Sequence, residues 1–182
     1  MTFKWVNVVL KVIRVGILVT LLVGGGYLIW LFGMDIGWNT VGFAFGVQWF
    51  LMLWIYLLFR LYPQLRLPKG YYEVGAEEKA LFEWLGVRRM QKVLWRVPSN
   101  PKIRFKERGK DELERVTLAM IEAETAHFLL GGVVAAMMVY AGWRGWWLVM
   151  GGYLVFNLLF NVYPVLVQRY NRQRIERVMN RL

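Results

Sequence analysis

The chain has no cysteine and a single histidine, His127, in 182 residues. The first absence excludes disulfides and thiol catalysis, and the two together remove the usual ligand set of a structural zinc site, so no metal is expected. Acidic residues are scarce, 12 against 23 Lys and Arg, which leaves a formal charge of +11. No internal repeat or low-complexity linker divides the sequence, so a single membrane domain over 1–182 is the simplest organisation. What fills the chain is apolar. With 58% hydrophobic and 16% aromatic residues, it is unlike an ordinary soluble domain.

Four stretches are long enough to cross a hydrocarbon core of about 30 Å, which takes roughly 20 helical residues. They lie near 12–32, 39–60, 119–141 and 146–167. The expected fold is an all-α integral membrane protein with four transmembrane helices. The first two spans, with VGILVTLLVGGGYLIWLF and VGFAFGVQWFLMLWIYLLF, carry no charge in those runs. The N-terminal run continues to Phe32 without an A-x-A cleavage pattern and reads as an uncleaved anchor. Only GMDIGWNT and GWRG join the spans within each pair, which predicts two tight antiparallel hairpins.

Those short loops hold one cation, Arg144; the other 22 lie near the N-terminus, in the segment near 60–118, or in the tail. By the positive-inside rule both termini, the loop 61–118 and the tail 168–182 are expected in the cytoplasm of a multi-pass cell-membrane protein. The central loop is too aromatic for disorder and is expected to lie on the membrane as an amphipathic segment. Leu81, Trp84 and Leu85 share one face of its first helix, and Val93, Leu94 and Trp95 follow among cations. After Pro98 and Pro101 comes a basic patch, Lys102 to Lys110, then DELERVTLAM as a helix entering the third span. The cations border the membrane and answer the topology rule, which argues against a nucleic-acid partner. Trp38, Trp146, Trp147 and Tyr170 read as an interfacial belt.

Polar residues inside the last two spans mark the candidate site, because ionisable groups at membrane depth are costly. Glu124 and His127 are three apart on one helical face, so the carboxylate is expected to hold the imidazole and fix its proton. Glu122 points about 200° away from Glu124 on the wheel, toward a loop cation. His127 lies 17 residues before Arg144 and Asn161 lies 17 after it, which puts the two at one depth in a hairpin. Asn157, Asn161, Pro164, Gln168, Asn171 and Arg172 form one polar stripe on the fourth span. Asn157 reads as a packing residue, and Arg177 and Arg181 as a lipid-binding collar.

The tail NVYPVLVQRYNRQRIERV, residues 161–178, resembles the glycosyl-4,4'-diaponeurosporenoate acyltransferase family, which esterifies the sugar of a carotenoid glycoside in staphyloxanthin-type synthesis. Its marks are QRYNR, the arginine two residues on, and the Asn seven before the Gln. Ala123-Glu124-Thr125-Ala126-His127 matches the family's AE-x-x-H motif at the expected separation, and LFEWLGVRRMQKVL, residues 81–94, is a weaker third match. Departures are Met90 and Gln91 after the basic pair, Phe128, Glu122, Ala119 and the position of Pro164; they leave the acid–base residues intact and the acceptor open.

The resemblance implies a membrane O-acyltransferase that moves a fatty acyl chain from acyl-CoA, or from an acyl carrier protein, to a sugar hydroxyl of a carotenoid glycoside or glycolipid. His127 would be the base and Glu124 its orienting carboxylate; no cofactor is bound, and acyl-CoA is the donor. Asn161 and Gln168 are candidate oxyanion donors. Arg169, Arg172, Arg174, Arg88 and Arg89 would meet the donor's phosphates, and Tyr170 and Asn171 fall inside the signature as substrate-binding candidates. The other readings are a small methyltransferase that uses S-adenosylmethionine, of the isoprenylcysteine or phospholipid kind, and a lipid-binding scaffold for a biosynthetic complex. Oligomeric state is open: Gly24 to Gly26, Gly131 and Gly132 allow close helix approach within one chain or between two.

Overall fold

The computed structural model describes residues 2–62, 65–75, 78–94 and 109–181. Trp95, Pro98, Pro101 and the patch from Lys102 to Arg108 lie outside them. Within them the chain is helical, in the order α1 (Thr2–Ile36), α2 (Val41–Leu61), a 3₁₀ turn (Lys69–Tyr72), α3 (Glu78–Trp84), α4 (Val87–Leu94), α5 (Lys110–Trp143), α6 (Trp147–Asn157), a π turn (Leu158–Val162) and α7 (Tyr163–Met179). Four helices are long and apolar enough to cross a membrane: Val8–Ile36, Val41–Leu61, Lys110–Trp143 and Trp147–Met179. The fourth outruns its expected end at 167. Pro164 lacks an N–H and would break a regular α-ladder, and the π turn just before it absorbs the mismatch so that the helix continues.

Two compact units form, one from residues 1–64 and 133–156, the other from 65–132 and 157–182. The first contains both hairpin turns. Gly37 ends α1 at φ +85°, and the Thr40 hydroxyl caps α2 by accepting from Phe43 N–H at 3.0 Å. At the second turn Gly145, at φ +71°, closes α5 with Trp146 N–H on Ala141 C=O at 2.9 Å and Gly145 N–H on Gly142 C=O at 3.0 Å, the paired bonds of a Schellman stop. The Asn39 side chain then accepts from Leu148 and Val149 N–H at 3.2 and 3.3 Å, so the first turn caps α6.

Small residues set the approach between these helices. A Cβ on Gly152 would lie 2.9 Å from the Ala44 Cβ and 3.7 Å from the Val41 Cα, contacts with little freedom to yield, whereas Gly151 faces open space. Gly152→Val is therefore expected to cost about 1–3 kcal/mol through overpacking. Thermal unfolding in detergent checks this against Gly151→Val, which shares the loss of helix flexibility but not the clash.

The second unit buries two clusters. Phe82, Val87 and Val167 pack with Val74, Leu85, Leu166 and Tyr170, and Leu113, Met120 and Ile175 with Val116, Val178 and Met179. The inward face of α3 is thus Phe82, while Leu81 and Trp84, two of the three residues expected to share an apolar face, point outward. The sequence pattern identifies an amphipathic helix, but packing against α7 selects Phe82 as its anchor. Tyr170, expected in the interfacial belt, meets Phe82 edge-on at 6.0 Å and carries the Arg174 guanidinium at 5.9 Å.

Candidate active site

The π turn and Pro164 explain how α5 meets the last helix. Proline at 164 cannot donate to a carbonyl one turn back, and the carbonyl of Phe160 instead accepts a hydrogen bond from His127. The imidazole also donates to the Asn161 side chain. Asn161 Nδ2 donates to Asn157 Oδ1 at 2.9 Å, and Asn157 Nδ2 to Gly131 C=O at 3.1 Å. Gly131 permits this approach, since a Cβ there would come within 3.3 Å of Asn157 Oδ1.

The chain of amides runs in one direction and fixes a tautomer. Asn161 Oδ1 and a carbonyl can only accept, so the shared imidazole nitrogen carries the proton. Nδ1 is buried without a partner among the described residues, so the protonated nitrogen is Nε2 and Nδ1 keeps its lone pair. The expected depth match between His127 and Asn161 holds as a direct contact. Asn161 is 1% exposed with both ends of its amide engaged, one by His127 and the other by Asn157.

Glu124 does not hold His127. Its carboxylate, fully buried, faces two guanidinium groups: Arg169 Nη1 donates to Oε1 at 3.0 Å and Arg172 Nε to Oε2 at 3.0 Å. Arg172 Nη2 adds an ion pair at 2.7 Å, off the line of a hydrogen bond. Two full positive charges outcompete a neutral imidazole for a buried carboxylate. The spacing of three did place Glu124 and His127 on one face, but the residues opposite decide which groups bond.

The arginines are equally committed. Arg169 Nε and Nη2 grip both oxygens of Glu78 at 2.8 and 2.5 Å, Nη1 donates to Tyr71 C=O at 2.7 Å besides Glu124, and Nη2 reaches Glu73 C=O at 3.3 Å. All five of its N–H donors are used. Arg172 Nη1 donates to Tyr72 C=O at 2.6 Å, and each guanidinium lies over the ring of the tyrosine whose carbonyl it holds, at 5.2 Å for Tyr71 and 5.5 Å for Tyr72. Arg169 and Arg172, expected on donor phosphates, instead clasp the segment around Tyr71 and Tyr72 to α5 and α7. Two carboxylates and two guanidinium groups leave the cluster without net charge.

Tyr72 strengthens the clasp: its hydroxyl accepts from Leu67 N–H at 2.8 Å and meets Thr125 Oγ1 at 2.5 Å, while Thr125 donates to Ile121 C=O at 2.7 Å. Tyr71 packs its ring on Phe128 at 4.8 Å. Burial, reinforced by the charge of Glu124, pushes its phenol up to about 12, so it stays protonated at neutral pH. Sequence reasoning missed Tyr71, Tyr72, Glu78 and Thr125, whose roles depend on partners 53 to 100 positions away and leave no local pattern.

Asn171 is 8% exposed and its side-chain oxygen accepts from Gln91, itself 3% exposed. Val87 and Gln91, four apart, form the buried face of α4; Arg88, Arg89 and Lys92 stand on the exposed face. Asn171, a substrate-binding candidate in the sequence, links α4 to α7, and Gln91 is a residue that spacing did not single out. Gln168 and Arg174 are half-buried on α7. Glu122 pairs with Arg66 at 3.7 Å across an exposed surface, the loop cation expected for it.

Hydrogen bonding to Arg169 holds the Glu78 carboxyl below the ordinary carboxylate range. A carboxyl that binds its proton less readily folded than unfolded contributes stability in full above its unfolded value and loses it as pH falls through the lowered folded value. The clasp is thus expected to loosen on acidification. Limited proteolysis around residues 69–78 should speed up as pH drops below the ordinary carboxylate range, and Glu78→Gln should flatten that dependence while raising cleavage at neutral pH.

Comparison with protein families matches residues 68–181 to the model described as glycosyl-4,4'-diaponeurosporenoate acyltransferase. The match covers the 3₁₀ turn, α3 to α7, the imidazole site and the clasp apart from Leu67. Comparison with curated proteins and with solved structures gave no match.

Proposed function

Because this chain belongs to the glycosyl-4,4'-diaponeurosporenoate acyltransferase family, we propose that it transfers a fatty acyl chain from acyl-CoA to a sugar hydroxyl of a carotenoid glycoside, with His127 as general base. The observation that carries this reading is the imidazole: Nε2–H is committed to Asn161 and Phe160, and Nδ1 is buried with its lone pair unpartnered among the described residues. A neutral imidazole so held is ready to take a proton.

In the step proposed, the sugar hydroxyl attacks the thioester carbonyl as Nδ1 removes its proton. The C–S bond of the tetrahedral intermediate then breaks, and the imidazolium returns the proton to the departing sulfur, which leaves ester and free thiol. Asn161 and the Phe160 carbonyl favour the imidazolium through the bonds they already accept. Gln168, seven residues beyond Asn161 on the same helical face, is the remaining side-chain candidate for the oxyanion. The donor's phosphates fit the exposed Arg88 and Arg89 with Lys92, since Arg169 and Arg172 are engaged. In this reading α3, α4 and the tail face the cytoplasm, where acyl-CoA is found.

The test is conversion of labelled palmitoyl-CoA by the purified protein in nanodiscs, offered glycosylated carotenoids beside sterol glucosides and glycolipids. Ester on a sugar hydroxyl is the expected product. Free fatty acid alone, or no consumption of the thioester across the panel, would sink the reading.

A further inference from the structure

The first unit holds a cavity of about 340 Å³, within the ~300–1,000 Å³ of ligand pockets, and no residue of the imidazole site or the clasp lines it. Its wall is aromatic, with Trp38, Phe43, Trp146 and Tyr153, and Met137 adds a flexible apolar side. Trp38 and Trp146 stack at 6.0 Å. Besides the indoles, three lining residues carry polar groups, Tyr140, Arg144 and Tyr153. Arg144 sits over the Trp146 ring at 5.2 Å, and among the described residues its guanidinium forms no ion pair. Tyr153 is 2% exposed, and its hydroxyl has no hydrogen-bond partner among the described residues.

We infer that this cavity binds an anionic glycerophospholipid, with the phosphate on Arg144, a glycerol ester carbonyl on the Tyr153 hydroxyl, and the first methylenes of its chains against Phe43 and Met137. A buried hydroxyl without a partner costs about 1–3 kcal/mol, and an acceptor from a ligand relieves that cost. Tyr153 lies six residues beyond Trp147, the first residue of α6, roughly 9 Å of helical rise, and Arg144 stands in the turn before that helix. Side chains on a helix lean toward its N-terminus, so the phenol points back along α6 toward the turn that carries Arg144, whose guanidinium lies over Trp146. The two polar contacts therefore fall close together, as the phosphate and ester of one lipid do. A single-headed fatty acid could meet Arg144 but would set methylenes against the phenol. Tryptophan at the rim suits the headgroup level of a bilayer, which supplies the ligand.

Arg144 is the lone cation of the two short connections, which makes an anionic headgroup the specific choice. The full-length protein, delipidated in detergent, is titrated with phosphatidylglycerol, phosphatidylcholine and myristate, and occupancy is read by native mass spectrometry. Arg144→Gln is expected to weaken phosphatidylglycerol binding about tenfold, the loss of one charge-assisted bond. Tyr153→Phe, which removes only an unpartnered hydroxyl and keeps the fold, is expected to weaken it about threefold. Phosphatidylglycerol held equally by the wild type and both variants overturns the assignment, as does myristate binding as tightly as the phospholipid. The readout is lipid occupancy, so it stands apart from whether acyl transfer is detected.

Discussion

Replacing His127 with alanine is expected to lower acyl transfer by about 10²–10⁴-fold, the range for loss of a general base, while the protein stays folded. The substitution leaves the Asn161 oxygen and the Phe160 carbonyl without their donor, a cost of about 1–3 kcal/mol. Asn161→Leu sharpens the test, because it leaves the imidazole in place but removes one of the two acceptors that keep the proton on Nε2. Asn161 is a positioning residue, so its variant should reduce kcat with little change in KM for acyl-CoA. The pH profile should move as well, since the imidazolium loses an acceptor that favours it. Full activity in His127→Ala, with thermal unfolding unchanged, would remove the base from the mechanism. Full activity with an unmoved pH profile in Asn161→Leu would remove the orienting role alone.

Much of this was legible in the chain. Hydropathy placed four helices, and equal spacing about Arg144 brought His127 to Asn161. Both inferences rest on geometry that repeats along a helix and needs no knowledge of a partner. Glu124 shows where such reasoning stops. A spacing of three fixes which face two residues share, but a buried carboxylate goes to the strongest donors within reach, and those come from α7. The same limit hid Glu78, Tyr71 and Tyr72. The reading of Arg169 and Arg172 as phosphate ligands treated surplus positive charge as available, whereas the fold had already paired it with carboxylates and main-chain carbonyls. Arg88, Arg89 and Lys92 keep their exposure because Val87 and Gln91 take the buried face of α4.

Glu124→Ala is expected to destabilise the protein by about 3–5 kcal/mol, since it leaves two guanidinium groups beside an empty buried site. Arg172 is 6% exposed, and its remaining bond to the Tyr72 carbonyl does not balance its charge. Arg169 retains Glu78 and should suffer less. Glu124→Gln keeps an acceptor for one arginine but loses the charge, and should fall between alanine and the wild type. Loss of activity in these variants should follow the fraction unfolded, measured by thermal unfolding in detergent and by cleavage around residues 69–78. A carboxylate that oriented the imidazole would behave in the opposite way: Glu124→Gln would unfold at the wild-type temperature and lose kcat. Wild-type stability with a collapsed kcat would therefore return Glu124 to the catalytic apparatus. A lowered unfolding temperature with normal specific activity in the folded fraction would establish it as the anion that holds α5, α7 and the Tyr71–Tyr72 segment together.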